Sequence, residues 1–274
     1  DWIVLIFSIG FIVLYGIWKN RKNKNLEDYF KGNNKSRWWT IGISVMATQA
    51  SAITFLSTPG QAYSDGMGFI QFYFGLPFAI IIISKFFLPI YHKLKVFTAY
   101  EFLEKRFNKK TRNLASFLFL VQRGLAAGIT IYAPAIIMSL ILKWPLYLLI
   151  IIIGSLVTFY TLIGGTKAVN VTQKQQMFVI FIGLFISIYY IFKGIPEEFS
   201  LKQVIEIAGA NEKLNILSFD LDFKSRYTFW SGITGGLFLA LSYFGTDQSQ
   251  VQRYISGKNL KESQRGLFFN AILK

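Results

Sequence analysis

Few residues in this chain could do chemistry, and they stand in apolar surroundings. ATQASAIT (Ala47 to Thr54) and SYFGTDQSQ (Ser242 to Gln250) bring hydroxyls, amides and small side chains into long hydrophobic runs. STPG (Ser57 to Gly60) follows the first, and GITGG (Gly232 to Gly236) precedes the second. Both runs read as interrupted helices. Unwound backbone leaves carbonyl oxygens free to replace water around a cation, and at membrane depth it is tolerated only where it lines a cavity. The alternative use of such residues is packing, because Ser, Thr and Gly let helices approach closely and hydroxyls bond back to the preceding turn. Arg123 lies about a third of the way along an otherwise uncharged stretch, and Asp247 is the acidic residue well inside another. A lone Arg in such a place costs roughly 2.5 to 3.5 kcal/mol on insertion scales. Three compensations are open to it: the carboxylate of a bound solute, Asp247, or snorkelling of the long side chain to the near surface.

The elements that must position these groups are membrane helices. The chain has 274 residues, 53% hydrophobic and 16% charged, a balance suited to hydrocarbon. Apolar runs of about the roughly 20 residues a bilayer requires cover about 1–18, 38–58, 66–91, 113–142, 144–165, 175–192 and 227–250, with an eighth begun at 266–274. The first run has its basic flank after it rather than before it, so it reads as a span and not a signal peptide. The chain begins inside one span and stops inside another, which reads as a piece cut at both ends. The net charge of +15 raises the question of nucleic acid. With the N-terminus outside, the loops at 19–37, 93–113, 164–174 and 253–265 face the cytoplasm and hold 20 of the 29 Lys and Arg. That is the positive-inside bias, and a nucleic-acid partner is not needed to explain the charge. Absence of Cys excludes disulfides and thiolate metal sites.

The two interrupted runs are the second and seventh spans, five apart. A unit of five helices repeated once enters the membrane from opposite sides in its two copies, and interrupted segments at corresponding positions of inverted repeats point to a transporter binding site. Gln49, Ser51 and Thr54 in the first run, and Ser242, Tyr243, Thr246 and Asp247 in the second, are the candidate solute or gating groups, with Arg123. Phe72, Tyr73, Tyr243 and Phe244 would stack on a ligand, gate it, or pack between helices. Thr98 to Phe107 (TAYEFLEKRF) reads as an interfacial amphipathic helix with Phe102 and Phe107 toward lipid, and the 193–226 segment as a loop carrying an outer surface helix. His92, the single His, reads as a solvated loop residue. No His, Asp and Glu cluster has metal-ligand spacing and no Ser has a nearby base, so an enzyme reading has no residues to stand on.

With these motifs in place the chain resembles the sodium/solute symporter family. The marks are SVMATQASAITFLSTPGQAY (Ser44 to Tyr63), FLPIYHKLKVFTAYEFLEKRFNKKTR (Phe87 to Arg112), IYAPAIIMS (Ile131 to Ser139), YTLIGGTKAVNVTQKQQ (Tyr160 to Gln176) and YFGTDQSQVQRYISGKNLKESQRG (Tyr243 to Gly266). IYAPA and GTDQSQVQRY look closest to the iodide and multivitamin branch and its bacterial relatives. The resemblance implies an all-α polytopic membrane protein with a LeuT-like inverted five-helix repeat and one extra N-terminal helix, this chain holding the first repeat and the start of the second. It implies a sodium site built from backbone carbonyls matching Ala47 and Ala50, its hydroxyl half lying beyond Lys274. Sugar-transporting members carry Glu and Gln where this chain has Ile53 and Thr54, and Glu where it has Tyr73, which disfavours a hexose. Members with an added sodium site use the Asp of a WTD motif; here the stretch is Val171, Thr172, Gln173. The sialic acid branch carries a membrane Arg on the helix similar to that of Arg123.

The expected function is therefore Na⁺-coupled import of a small polar or anionic organic solute across the plasma membrane, as in a bacterial inner membrane. A transporter-like sensor feeding a signalling domain is the competing reading, and Na⁺-independent facilitation is a third. Solute identity and oligomeric state are not given by the residues.

Overall fold

The computed structural model describes residues 36–222 and 224–273, together with Gly10, Leu14 and Trp18, but not the side chains at 52, 53, 56, 160, 163–168 and 170. The expected first span over 1–18 and the loop that follows it thus lie largely outside the described residues.

Helix α1 (Trp38–Gln49) ends at Ala50, and α2 (Ala52–Asp65) starts after Ser51. Both intervening residues are extended, Ala50 at φ −71° and ψ 103°, Ser51 at φ −117° and ψ 162°. Ser51 restarts the helix: its hydroxyl accepts from the Thr54 N–H, as an N-cap does. Pro59 and Gly60 sit inside α2, so the STPG stretch is not part of the break. Gly66, at φ 80° and ψ −178°, takes a positive-φ extended conformation that glycine adopts at little steric cost and leads into a 3-10 turn, Met67–Tyr73.

From there the chain runs through α3 (Leu76–Ile82), a π-helical turn (Ile83–Phe87) and α4 (Leu88–Leu94). The wide turn strands one carbonyl. In a π pattern the donor to the Ser84 carbonyl would be residue 89, a proline without an N–H. The Gln264 side-chain amide supplies that donor instead, at 2.9 Å.

Helix α5 (Ala99–Arg106) is capped by Thr98, α6 spans Lys109–Leu142, and α7 spans Leu146–Lys193. Then come α8 (Leu201–Ala210, with a Ser200 and Gln203 capping box), α9 (Phe229–Gly245), α10 (Gln248–Ile255) and α11 (Leu260–Leu273).

Four expectations need correction. The turn expected over 164–174 is helical, because α7 is one helix of 48 residues that runs through Gly164, Gly165 and the polar residues after them. GITGG does not belong to the second break. It lies within α9, where a methyl added at Gly232 or Gly236 would fall on the Gln71 or Phe72 carbonyl, so these glycines serve close packing. Phe102 packs against the buried core, leaving Phe107 exposed at the end of α5. His92 lies half-buried in the last turn of α4 and hydrogen-bonds the Ser263 hydroxyl at 3.0 Å, because α11 returns to that place.

The core forms where the two broken helices meet the rest. α1 packs on α11, α7 and α10, while α9 packs on the 3-10 turn and α3. Gly42 and Gly266 set the α1–α11 approach: a methyl at Gly42 would strike Phe269, and one at Gly266 would strike Ile41. Ile41, Val45, Ile80, Ile83, Leu88, Phe244, Tyr254 and Leu267 fill the space between. Around this core the apolar side chains of α6 and α7, such as Leu118, Leu125, Phe185 and Ile191, face outward, the reverse of a water-soluble fold. Among the described residues Met67–Leu94, Lys109–Leu142 and Val171–Lys193 are long and apolar enough to cross a membrane.

Candidate functional site

Ending a helix strands its last carbonyls. At the first break, the Ala50 N–H still bonds the Met46 carbonyl at 3.0 Å, but the extended Ala50 and Ser51 carry the next donors away. Among the described residues the Ala47 and Ala50 carbonyls receive no hydrogen bond. Side chains on the same turn look backward. Thr48 Oγ1 donates to the Ser44 carbonyl at 2.7 Å and Gln49 Nε2 to the Val45 carbonyl at 3.2 Å. Gln49 also reaches the buried Asn270 of α11 at 3.4 Å, and its own Oε1 is buried without a partner. Gln173 of α7 ties this turn down, accepting from Ser44 Oγ at 2.5 Å and donating to Thr48 Oγ1 at 3.0 Å. Backbone and amide oxygens therefore gather here, held by three helices.

The second break is built differently. Helix α9 ends at Gly245, Thr246 and Asp247 depart from the helix, and the Asp247 carboxylate caps α10 through the Ser249 N–H (2.9 Å) and hydroxyl (2.6 Å). Here the stranded carbonyls are filled. Tyr91 of α4 donates its hydroxyl to the Gly245 carbonyl at 2.7 Å, and Tyr254 of α10 donates to that of Phe244. The Ser242 carbonyl receives the Thr246 N–H at 3.2 Å and hydroxyl at 2.9 Å.

Arg123 of α6 closes on this second break. Its guanidinium pairs with the Asp247 carboxylate, whose side chain is only 8% exposed, and lies 5.8 Å from the Tyr243 ring centroid and 6.0 Å from that of Phe119. Of the three compensations open to Arg123, the structure supplies Asp247. Tyr100 of α5 stands nearby, its hydroxyl pushed up to about 12 first by burial and then by the Asp247 charge, with Gln248 and Arg123 opposing, so it is a neutral neighbour at ordinary pH.

Beside α9 lies a cavity of about 420 Å³. Phe72, Tyr73, Tyr243 and Phe244 line it, as the sequence suggested, together with Gln61, Tyr227 and Arg226, which it did not single out. Gln61 lies seven residues after Thr54 on the face of α2 that carries it, a periodicity that could have found it. Ala47, Gln49, Ala50, Ser51 and Thr54 do not line this cavity, and Thr54 is exposed, 3.3 Å from the Ser51 hydroxyl. Nor do Arg123 and Asp247. Ser242 is exposed, and Thr246 borders a separate apolar pocket with Phe86, Tyr91 and Tyr100.

Two broken helices against a bundle with outward apolar faces define a polytopic membrane transporter fold. The chain belongs to the sodium:solute symporter family, whose model matches residues 29–273. It is 34% identical over 269 residues to sodium-coupled monocarboxylate transporter 2 of Bos taurus, covering 98% of this chain and 43% of that protein. It is 30% identical over 270 residues to the sodium/iodide cotransporter of Homo sapiens, covering 98% of this chain and 41% of that one. The chain thus spans less than half the length of these curated relatives. A solved Na⁺-coupled sialic acid symporter, substrate-bound and outward-open, superposes with a TM-score of 0.87 at 28% identity over 99% of this chain and 56% of its own. The fold is that symporter's LeuT-like arrangement, of which this chain holds the first repeat and the start of the second.

Proposed function

We propose that the protein of which this chain is part imports a small polar or anionic organic solute by Na⁺-coupled alternating access, in a plasma membrane of the bacterial inner-membrane kind, with the N-terminus outside. The observation that carries this reading is the contrast between the breaks. Among the described residues the carbonyls at Ala47 and Ala50 receive no hydrogen bond, while those at Phe244 and Gly245 are stoppered by phenols. An open carbonyl pair beside further amide oxygens is suited to a desolvated cation, and the relatives named above are sodium-coupled.

Residue roles follow from position. Ala47 and Ala50 carbonyls contribute to the sodium site. Phe72, Tyr73 and Tyr243 line the solute cavity, with Gln61 and Tyr227 as hydrogen-bonding groups. Gln49, Ser51 and Thr54 sit at the hinge between them. Na⁺ held at the break stabilises one orientation of α1 and α2 and so raises solute affinity, and by linkage solute raises Na⁺ affinity. Each net charge moving inward gains about 2.3 kcal/mol per 100 mV, and at about 1.4 kcal/mol per decade this supports roughly fortyfold accumulation.

The test is uptake of carboxylates, inorganic anions and neutral solutes by the full-length protein in sealed vesicles. An inward Na⁺ gradient should drive accumulation above the medium concentration, and replacing Na⁺ with choline should abolish it. Equal accumulation without Na⁺ would refute the coupling.

A further inference from the structure

We infer that the Arg123–Asp247 ion pair is a latch that holds the second break closed toward the cytoplasm. The inference uses the proposed orientation, in which the basic loops at 93–113 and 253–265 face the cytoplasm, but not Na⁺ coupling itself.

Contacts from α4, α6, α10 and the segment entering α5 converge on the break between Phe244 and Gln248. Arg123 reaches in from α6 to Asp247. Tyr91 from α4 and Tyr254 from α10 hold the last carbonyls of α9. Gln248 clamps the start of α10 to the strand entering α5, accepting from the Ala99 N–H at 2.9 Å and donating to the Phe97 carbonyl at 3.1 Å. A chain that only needed to bend here would need its backbone groups satisfied. It would not need a charged pair drawn from a helix 124 residues away.

The pair also lies between two spaces. Tyr243, under the Arg123 guanidinium, lines the solute cavity, and Thr246, next to Asp247, lines an apolar pocket of about 280 Å³ bounded by Tyr100, Phe102 and Leu103 of α5. Separating Arg123 from Asp247 would release α10 from α6 beside both spaces. Arg123 Nε is buried without a partner and Asp247 keeps its Ser249 contacts, so the pair is held by a single guanidinium nitrogen and can part without dismantling the cap of α10. The latch binds no solute; Arg123 and Asp247 are positioning residues that hold the path closed.

The experiment places a reporter cysteine in the cavity by Leu239→Cys in the full-length protein, in vesicles exposing its cytoplasmic face, and reads labelling by a membrane-impermeant maleimide. Arg123→Gln with Asp247→Asn removes both charges together and avoids leaving one buried charge alone. This double variant should label at least tenfold faster than the parent from the cytoplasmic face, and Arg123→Lys, which keeps the pair, should label near the parental rate. Tyr254→Phe serves as a control that loosens the same break without touching the charges, and should change labelling less than the double variant. Labelling of the folded double variant at the parental rate, or equal acceleration in Tyr254→Phe, would overturn the latch. The readout needs neither Na⁺ nor a known solute, so failure of Na⁺-coupled uptake leaves it intact and the reverse also holds.

Discussion

The Tyr91 hydroxyl lies 2.7 Å from the Gly245 carbonyl, far from water and close to the end of α9. Removing it strands a buried acceptor, which costs about 1 to 3 kcal/mol. Tyr91→Phe in the full-length protein should therefore lower the thermal unfolding midpoint measurably while conserving ring volume, and an unchanged midpoint would mean that this carbonyl has another donor. No residue near Ala47 or Ala50 in the sequence announces whether a break will be open or stoppered. Tyr91 and Tyr254 reach the second break from elements that only the fold brings there, so the polar composition of both stretches was legible while their difference was not. The pairing of Arg123 with Asp247 was legible as one of three options, since a membrane Arg needs an opposite charge and the chain offers few.

At the scale of elements, the sites of interruption were readable and their edges were not. Ser51 and Asp247 are cap residues, and each marks the start of a new helix with a side chain that accepts from the following turn. The Pro59–Gly60 and Gly232–Gly236 stretches carry the same residue types yet stay helical, and in the second Gly232 and Gly236 are closely packed. Neighbouring glycines separate these roles. A methyl at Gly235 would meet nothing, whereas one at Gly236 would fall on the Phe72 carbonyl. Gly235→Ala should be neutral or stabilising by up to about 1 kcal/mol. Gly236→Ala should destabilise by about 1 to 3 kcal/mol as an overpacked contact. Chemical or thermal unfolding of the two purified variants distinguishes them, and equal stabilities would contradict the close α9 packing.

For the whole molecule, α7 poses a problem of length: 48 residues at about 1.5 Å each reach roughly 72 Å, more than twice a hydrocarbon core of about 30 Å. Its two apolar parts, Leu146–Phe159 and Val171–Lys193, flank the basic stretch that the sequence assigned to a cytoplasmic turn. We propose that α7 bends within residues 164–174 in the membrane, so that this region crosses twice with its polar middle at the membrane surface. In the symporter family's LeuT-like fold we propose that the broken helices divide the work: the first break binds through its backbone, and the second, with its carbonyls filled, bends. The most direct measurement is a high-resolution cryo-EM comparison of the full-length protein prepared in Na⁺ and in choline. Density bridging the Ala47 and Ala50 carbonyls in Na⁺, and absent in choline, is the expected result. A continuous helix through residues 47–51, or both carbonyls hydrogen-bonded to protein donors in Na⁺, would contradict sodium binding at this break.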